Sequence, residues 1–190
     1  NTLKDILKIE TFVQLIEGFV YLWISYSVSN LNVMIDRRYM DWTITTPLML
    51  ISTVLYMKYN TETDEYKKNI NLKDFFKDNV SEVLLIVLLN GLMLSFGYLG
   101  EKKILDKNSS IIIGFAFFFG TFKYIYDKYV KDNDTNKKLF YFVFIVWSLY
   151  GVAAMFPAVS KNISYNFLDI VSKNFYGLFI YYKLLQVRVP

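Results

Sequence analysis

The chain has 190 residues, of which 54% are hydrophobic and 19% aromatic, and it carries a net charge of +4. It has no Cys and no His, which excludes disulfides, thiolate metal sites and thiol nucleophiles and removes the commonest general base. One domain over residues 1–190 is expected, with no metal centre and no enzymatic reaction. The charges fall in blocks between apolar runs, the pattern of loops at a membrane surface; a nucleic-acid partner is not expected.

The stretch from Asn1 to Asp5 has none of the features of a signal peptide. A first hydrophobic segment, roughly residues 3–29, carries Glu10 and Glu17, seven apart and so on one stripe of a helix. A second, roughly 35–59, holds Arg38, Asp41, Thr45, Thr46, Pro47 and Ser52. Asp41, Thr45 and Ser52 share one face, and Arg38 stands one turn before Asp41. The connection over 60–79 mixes Glu62, Asp64 and Glu65 with Lys67, Lys68, Lys73 and Lys77. It reads as a solvated loop, with room for a short helix from Leu72.

Four more segments complete the chain, at roughly 81–100, 108–129, 138–160 and 162–185. Residues 139–160 form a charge-free run of 22, enough to span a bilayer as a helix. The last segment is interrupted by Asp169 and Lys173, four residues apart on one face. Val, Ile and Phe are plentiful, yet the segments are too long and too little alternating for strands. Only helices and closed barrels satisfy their backbone groups in lipid, so an all-α membrane protein is predicted. With the N-terminus inside, fourteen Lys and Arg fall on the inner side and five on the outer. The start and the C-terminus are therefore expected to be cytoplasmic, in a multi-pass protein whose main partner is the bilayer.

Charges at membrane depth are expensive, so they need partners and usually a task. Two carboxylates, Asp41 and Asp169, and one amine, Lys173, held in hydrocarbon are what a protonated Schiff base requires. A lysine at that depth loses its proton unless countercharges hold it, and a neutral buried amine is ready to form a Schiff base. The competing reading is a set of buried ion pairs that fix helix register. The aromatic residues nearby have a plain reading too, as core of a chain rich in Tyr and Phe.

The stretch Arg38-Tyr39-Met40-Asp41-Trp42-Thr43-Ile44-Thr45-Thr46-Pro47-Leu48 resembles the third-helix signature of microbial rhodopsins. Trp147-Ser148-Leu149-Tyr150 resembles their sixth-helix retinal-pocket motif, and Asp169-Ile170-Val171-Ser172-Lys173-Asn174 their seventh-helix attachment site. Asn90-Gly91-Leu92-Met93 with Gly97 is similar to their fourth-helix pocket wall. The resemblance implies a seven-helix retinal-binding bundle, of which six helices are present here and the first would precede Asn1. It implies all-trans retinal as a protonated Schiff base on Lys173, with Asp41 and Asp169 as counterions steadied by Arg38 from the outside. Trp42, Trp147 and Tyr150 would clamp the polyene, with Met93 and Gly97 beside the ring. Thr46 and Asn90 would form a hydrogen-bonded pair between the third and fourth family helices.

Pump and channel members differ in their polar path. Bacteriorhodopsin-type pumps place a carboxylate eleven residues after the counterion, where this chain has Ser52, and keep two acids at the outer mouth, where this chain offers Val159 and Lys161. Channelrhodopsins resemble this chain in glutamates at seven-residue spacing and in Ser172-Lys173-Asn174. On that resemblance Glu17 and Asn174 form a central gate, while Glu10, with Ser52, lines the inner constriction. Short loops and a composition rich in Lys, Asn and Ile are closest to rhodopsins of giant algal viruses. The expected function is a light-gated channel for monovalent or divalent cations or protons, and a homo-oligomer is open. The alternatives are an outward proton pump with Glu10 as internal donor, a photosensor, and a structural membrane protein without retinal.

Overall fold

The computed structural model describes residues 2–27, 30–63, 72–130 and 132–188, the side chains of 187 and 188 excepted. Asp64, Glu65, Lys67, Lys68, Lys131 and the side chain of Arg188 lie outside the described residues. The described chain is all helix: α1 (Thr2–Ser25), α2 (Leu31–Thr61), α3 (Leu72–Asp78), α4 (Val80–Glu101), α5 (Lys107–Ile125), α6 (Asp134–Ala154), α7 (Ala158–Asp169) and α8 (Tyr176–Arg188). A π-helical turn, Tyr126–Val130, prolongs α5, and a second, Ile170–Phe175, joins α7 to α8 in one rod. Six long rods result, as the six hydrophobic segments predict, and α3 is the short helix expected from Leu72.

The starts follow local chemistry. Asn30, Asp106 and Asn133 each accept a hydrogen bond from the backbone N–H three residues on, which satisfies a donor the first helical turn leaves free. These bonds to Asp106 hold its carboxyl below the usual carboxylate range. One boundary differs from expectation. The fifth hydrophobic segment runs to residue 160, but α6 ends at Ala154 and Ser160 lies in α7. Pro157, which has no N–H to continue a ladder, stands at the break. Hydropathy does not mark it because Met155, Phe156, Ala158 and Val159 are all apolar.

The rods pack in a ring: α1 against α2, α2 against α4, α4 against α5, α5 against α6, α6 against α7, and α8 back against α1. The strand-free ring leaves α2 most enclosed, and every residue from Met49 to Met57 is buried. Outward positions are apolar instead of charged: Phe12 and Phe19 on α1, Leu84 and Leu88 on α4, Ile145 and Leu149 on α6. An apolar coat around a polar interior is what a lipid solvent favours. By length and composition alone, Val80–Glu101, Lys107–Val130 and Asp134–Ala154 can cross a membrane. The other three rods carry the interior charges, which dilute their apolar character.

At the end of the bundle where α1 begins (the near end), Asn136 is fully buried and joins three elements. Its Nδ2 donates to the carbonyls of Met57 on α2 and Tyr129 in the first π turn, and its Oδ1 accepts from Asn60. A π turn disturbs the regular helix ladder, and Asn136 gives its Tyr129 carbonyl a donor.

Candidate functional site

The site is built on the second π turn. Lys173 is 1% exposed, and its Nζ lies 2.5 Å from Asp41 Oδ2 on α2. Asp169 Oδ1 and Glu17 Oε1 are each 3.7 Å from the same nitrogen. Three rods thus aim three carboxylates at one amine, one more than the two counterions expected. The π turn, an irregularity frequent at functional sites, carries this amine.

The two aspartates are held very differently. Asp169 accepts from Trp42 Nε1 at 3.2 Å, Tyr150 Oη at 2.7 Å, Tyr21 Oη at 2.5 Å and Arg38 at 3.3 Å. Four donors occupy its two oxygens. Asp41 meets Lys173 through Oδ2, while its buried Oδ1 has no hydrogen-bond partner among the described residues. Arg38 was expected to steady both aspartates; it pairs with Asp169, and its other arm donates to Asn166 at 2.7 Å. The reason is reach: Asn166 and Asp169 lie one turn apart on α7, so one guanidinium fork engages both.

Beside Lys173 opens a cavity of about 640 Å³, within the range of small-molecule sites. Trp42, Thr46, Met93, Gly97, Trp147 and Tyr150 all line it. A Cβ on Gly97 would stand 2.9 Å from Tyr39 Oη, so glycine there lets the Tyr39 ring close the wall. Asn90 lies behind the wall, fully packed, and donates to Thr46 Oγ1 at 2.8 Å, which joins α2 to α4. Thr46 in turn donates to the Trp42 carbonyl at 2.7 Å.

Toward the near end runs a line of polar groups. Asn174 Nδ2 approaches Glu17 Oε2 at 3.5 Å. One stripe further along α1, Glu10 is fully buried and accepts from Ser52 Oγ on α2. Glu10 and Glu17 are seven residues apart, roughly 10 Å along the helix.

Several participants were not anticipated from sequence. Tyr21 lies four residues after Glu17, on the same stripe, and that spacing was a usable signal. Asn166 precedes Asp169 by one turn, again a usable one. Glu101, the last residue of α4, pairs with Lys161 at 2.5 Å. Nothing local in the sequence joins those two, since they stand on separate rods.

The family model for bacteriorhodopsin-like proteins matches residues 1–187. The chain belongs to the bacteriorhodopsin-like family. Among solved structures, the crystal structure of viral rhodopsin OLPVRII is similar over 98% of this chain and 85% of that one, with a TM-score of 0.86 and 28% identity. No match is found among curated proteins. As a rhodopsin, the chain is a retinal-binding, multi-pass integral membrane protein, from a family of light-driven transporters, channels and sensors and not of classical enzymes. The residues present fit the chromophore. The Lys173 amine stands at the inner end of an aromatic-walled cavity that Asp169 also lines, with the Asp41 carboxylate against the same nitrogen.

Proposed function

We propose that this rhodopsin is a light-gated cation channel whose path runs along the acidic stripe of α1. Lys173 is the attachment residue, Asp41 and Asp169 are the counterions, and the bound isomer in the dark is all-trans. Retinal on Lys173 would supply photoisomerisation and with it a displacement of the positive charge at Nζ. The observation that carries the reading is the third carboxylate: Glu17 lies as close to Nζ as Asp169 does. A movement of the amine therefore changes the electrostatics of Glu17 directly, because the interaction falls with distance in a medium of low dielectric.

The chain's residues then divide the work. Asp169, saturated by donors, is held in one place. Asp41, with one oxygen free of partners, is the group able to take a proton from Nζ. Glu17 and Asn174 form the central gate, at a 3.5 Å contact that a small displacement breaks. Glu10 and Ser52 close the path toward the near end, which we assign to the cytoplasmic side from the Lys and Arg asymmetry. Carboxylates along a path attract cations and repel anions, the usual basis of cation selectivity. Arg38, Tyr21 and Asn166 close this α1-side path at its far end.

A second reading is favoured by one observation. Glu10 is fully enclosed and its Oε2 has no hydrogen-bond partner among the described residues, which suits an internal proton donor in an outward pump. Voltage-clamp recording under illumination separates the two. A channel current reverses sign with the cation gradient; a pump current keeps its sign across the accessible voltages. An outward current that never reverses would overturn the channel reading.

A further inference from the structure

The cavity does not end at the residues expected to surround a chromophore. It continues to the far end of the bundle, where Lys103, Lys107, Pro157 and Ala158 form an exposed rim. Two ladders mark its depth. On α4, Met93, Gly97 and Glu101 follow one another at one-turn intervals; on α7, Lys161, Tyr165 and Asp169 do the same. Twelve residues of helix separate Lys161 from Lys173, roughly 18 Å at the helical rise. The cavity lining therefore runs from that exposed rim down to the buried amine.

Across that space, just inside the rim, Lys161 Nζ meets Glu101 Oε2 at 2.5 Å. Both side chains are about nine-tenths covered, at 11% and 10% exposure. Helix α4 does not pack closely against α7, so the ion pair bridges a gap that the backbones leave open. Neither residue takes part in the Lys173 network. A mostly desolvated pair is a poor source of net stability and a strong constraint on geometry, because parting it leaves uncompensated charge in a poorly solvated place.

We propose that the far arm of the cavity is the access route to the Lys173 amine and that the Glu101–Lys161 pair is its closure. Water-borne solutes reach the cavity floor only when the pair parts. This inference stands on the cavity and the ion pair alone, whether transport is by channel or pump. The absence of cysteine makes the test direct, because one introduced thiol is the only reactive one. The probe position is Met93→Cys, on the cavity wall; the control is Ser81→Cys, exposed at the near end.

Thiol labelling by two membrane-impermeant methanethiosulfonates, one cationic and one anionic, is followed on the full chain in lipid nanodiscs. Glu101→Gln and Lys161→Gln should each accelerate labelling of Met93→Cys about tenfold with both reagents, the effect of moving an opening equilibrium by about 1.4 kcal/mol. The exchange Glu101→Lys with Lys161→Glu should return labelling to the parent rate. Equal rates in all backgrounds would overturn the closure, and so would acceleration of one reagent with slowing of the other, which is a field effect without a gate. A single variant that loses cooperative thermal unfolding has lost the fold, and the exchange variant decides. With the control unchanged, parent-like labelling there supports the closure and fast labelling overturns it.

Discussion

At residue scale, the difference between the two aspartates matters more than their number. Asp169 accepts from four donors and Asp41 from one. Replacing Asp169 with Asn leaves Arg38 deep in the bundle with no carboxylate within salt-bridge reach, a change that costs about 3–5 kcal/mol when a buried pair loses one partner. Asp169→Asn should therefore lower stability steeply in a thermal or denaturant titration in bilayer mimics. Asp41→Asn should be milder in stability and stronger in colour: with the charge nearest Nζ gone, absorbance of the retinal-bound protein should move to the red. A colour unchanged by Asp41→Asn would remove Asp41 as the principal counterion. Lys173→Ala should abolish visible absorbance altogether, and colour that persisted would defeat the attachment assignment.

At element scale, irregularities position the chemistry. The π turn over Ile170–Phe175 carries Ser172, Lys173 and Asn174, which face three different partners: Tyr150, Asp41 and Glu17. The contact of Asn90 with Thr46 ties α4 to α2 beside Pro47, where the helix already lacks one N–H. Asn90→Ala removes one buried hydrogen bond, worth about 1 kcal/mol. Its expected signature is a changed rate of return to the dark state after a flash, with the absorption maximum little moved. At the near end, Asn136→Leu would orphan the carbonyls of Met57 and Tyr129, each at about 1–3 kcal/mol. Loss of cooperative unfolding, or a several-degree fall in melting temperature, would be the measured result.

At the scale of the whole molecule, the bundle is apolar outside and charged inside, so the rods that look least like membrane spans are those that carry the buried charges. Glu10, Glu17, Asp41, Asp169 and Lys173 all stand on rods that fail a hydropathy criterion, while the three rods that meet it supply wall. Glu17→Gln belongs to this scale, since Glu17 stands outside the cavity lining and on the proposed path. It should shift the reversal potential of the photocurrent across sodium, calcium or proton gradients, and an unchanged reversal potential would count against the central gate.

The number of rods, their approximate ends and their helical nature followed from apolar run length, because a backbone in lipid has few ways to satisfy its polar groups. The buried amine and its two aspartates were marked in the sequence by charge inside apolar segments, while the aromatics that line the cavity could be singled out only through the resemblance of short motifs, since a chain rich in Tyr and Phe gives them no signal of their own. What stayed hidden was everything that depends on two rods meeting: which aspartate Arg38 chooses, the approach of Glu17 to Lys173, the joining of Glu101 to Lys161, and the break at Pro157 inside an apolar run. Helical periodicity states which side a residue points from but not which neighbour it reaches, and only the packing of the ring decides that.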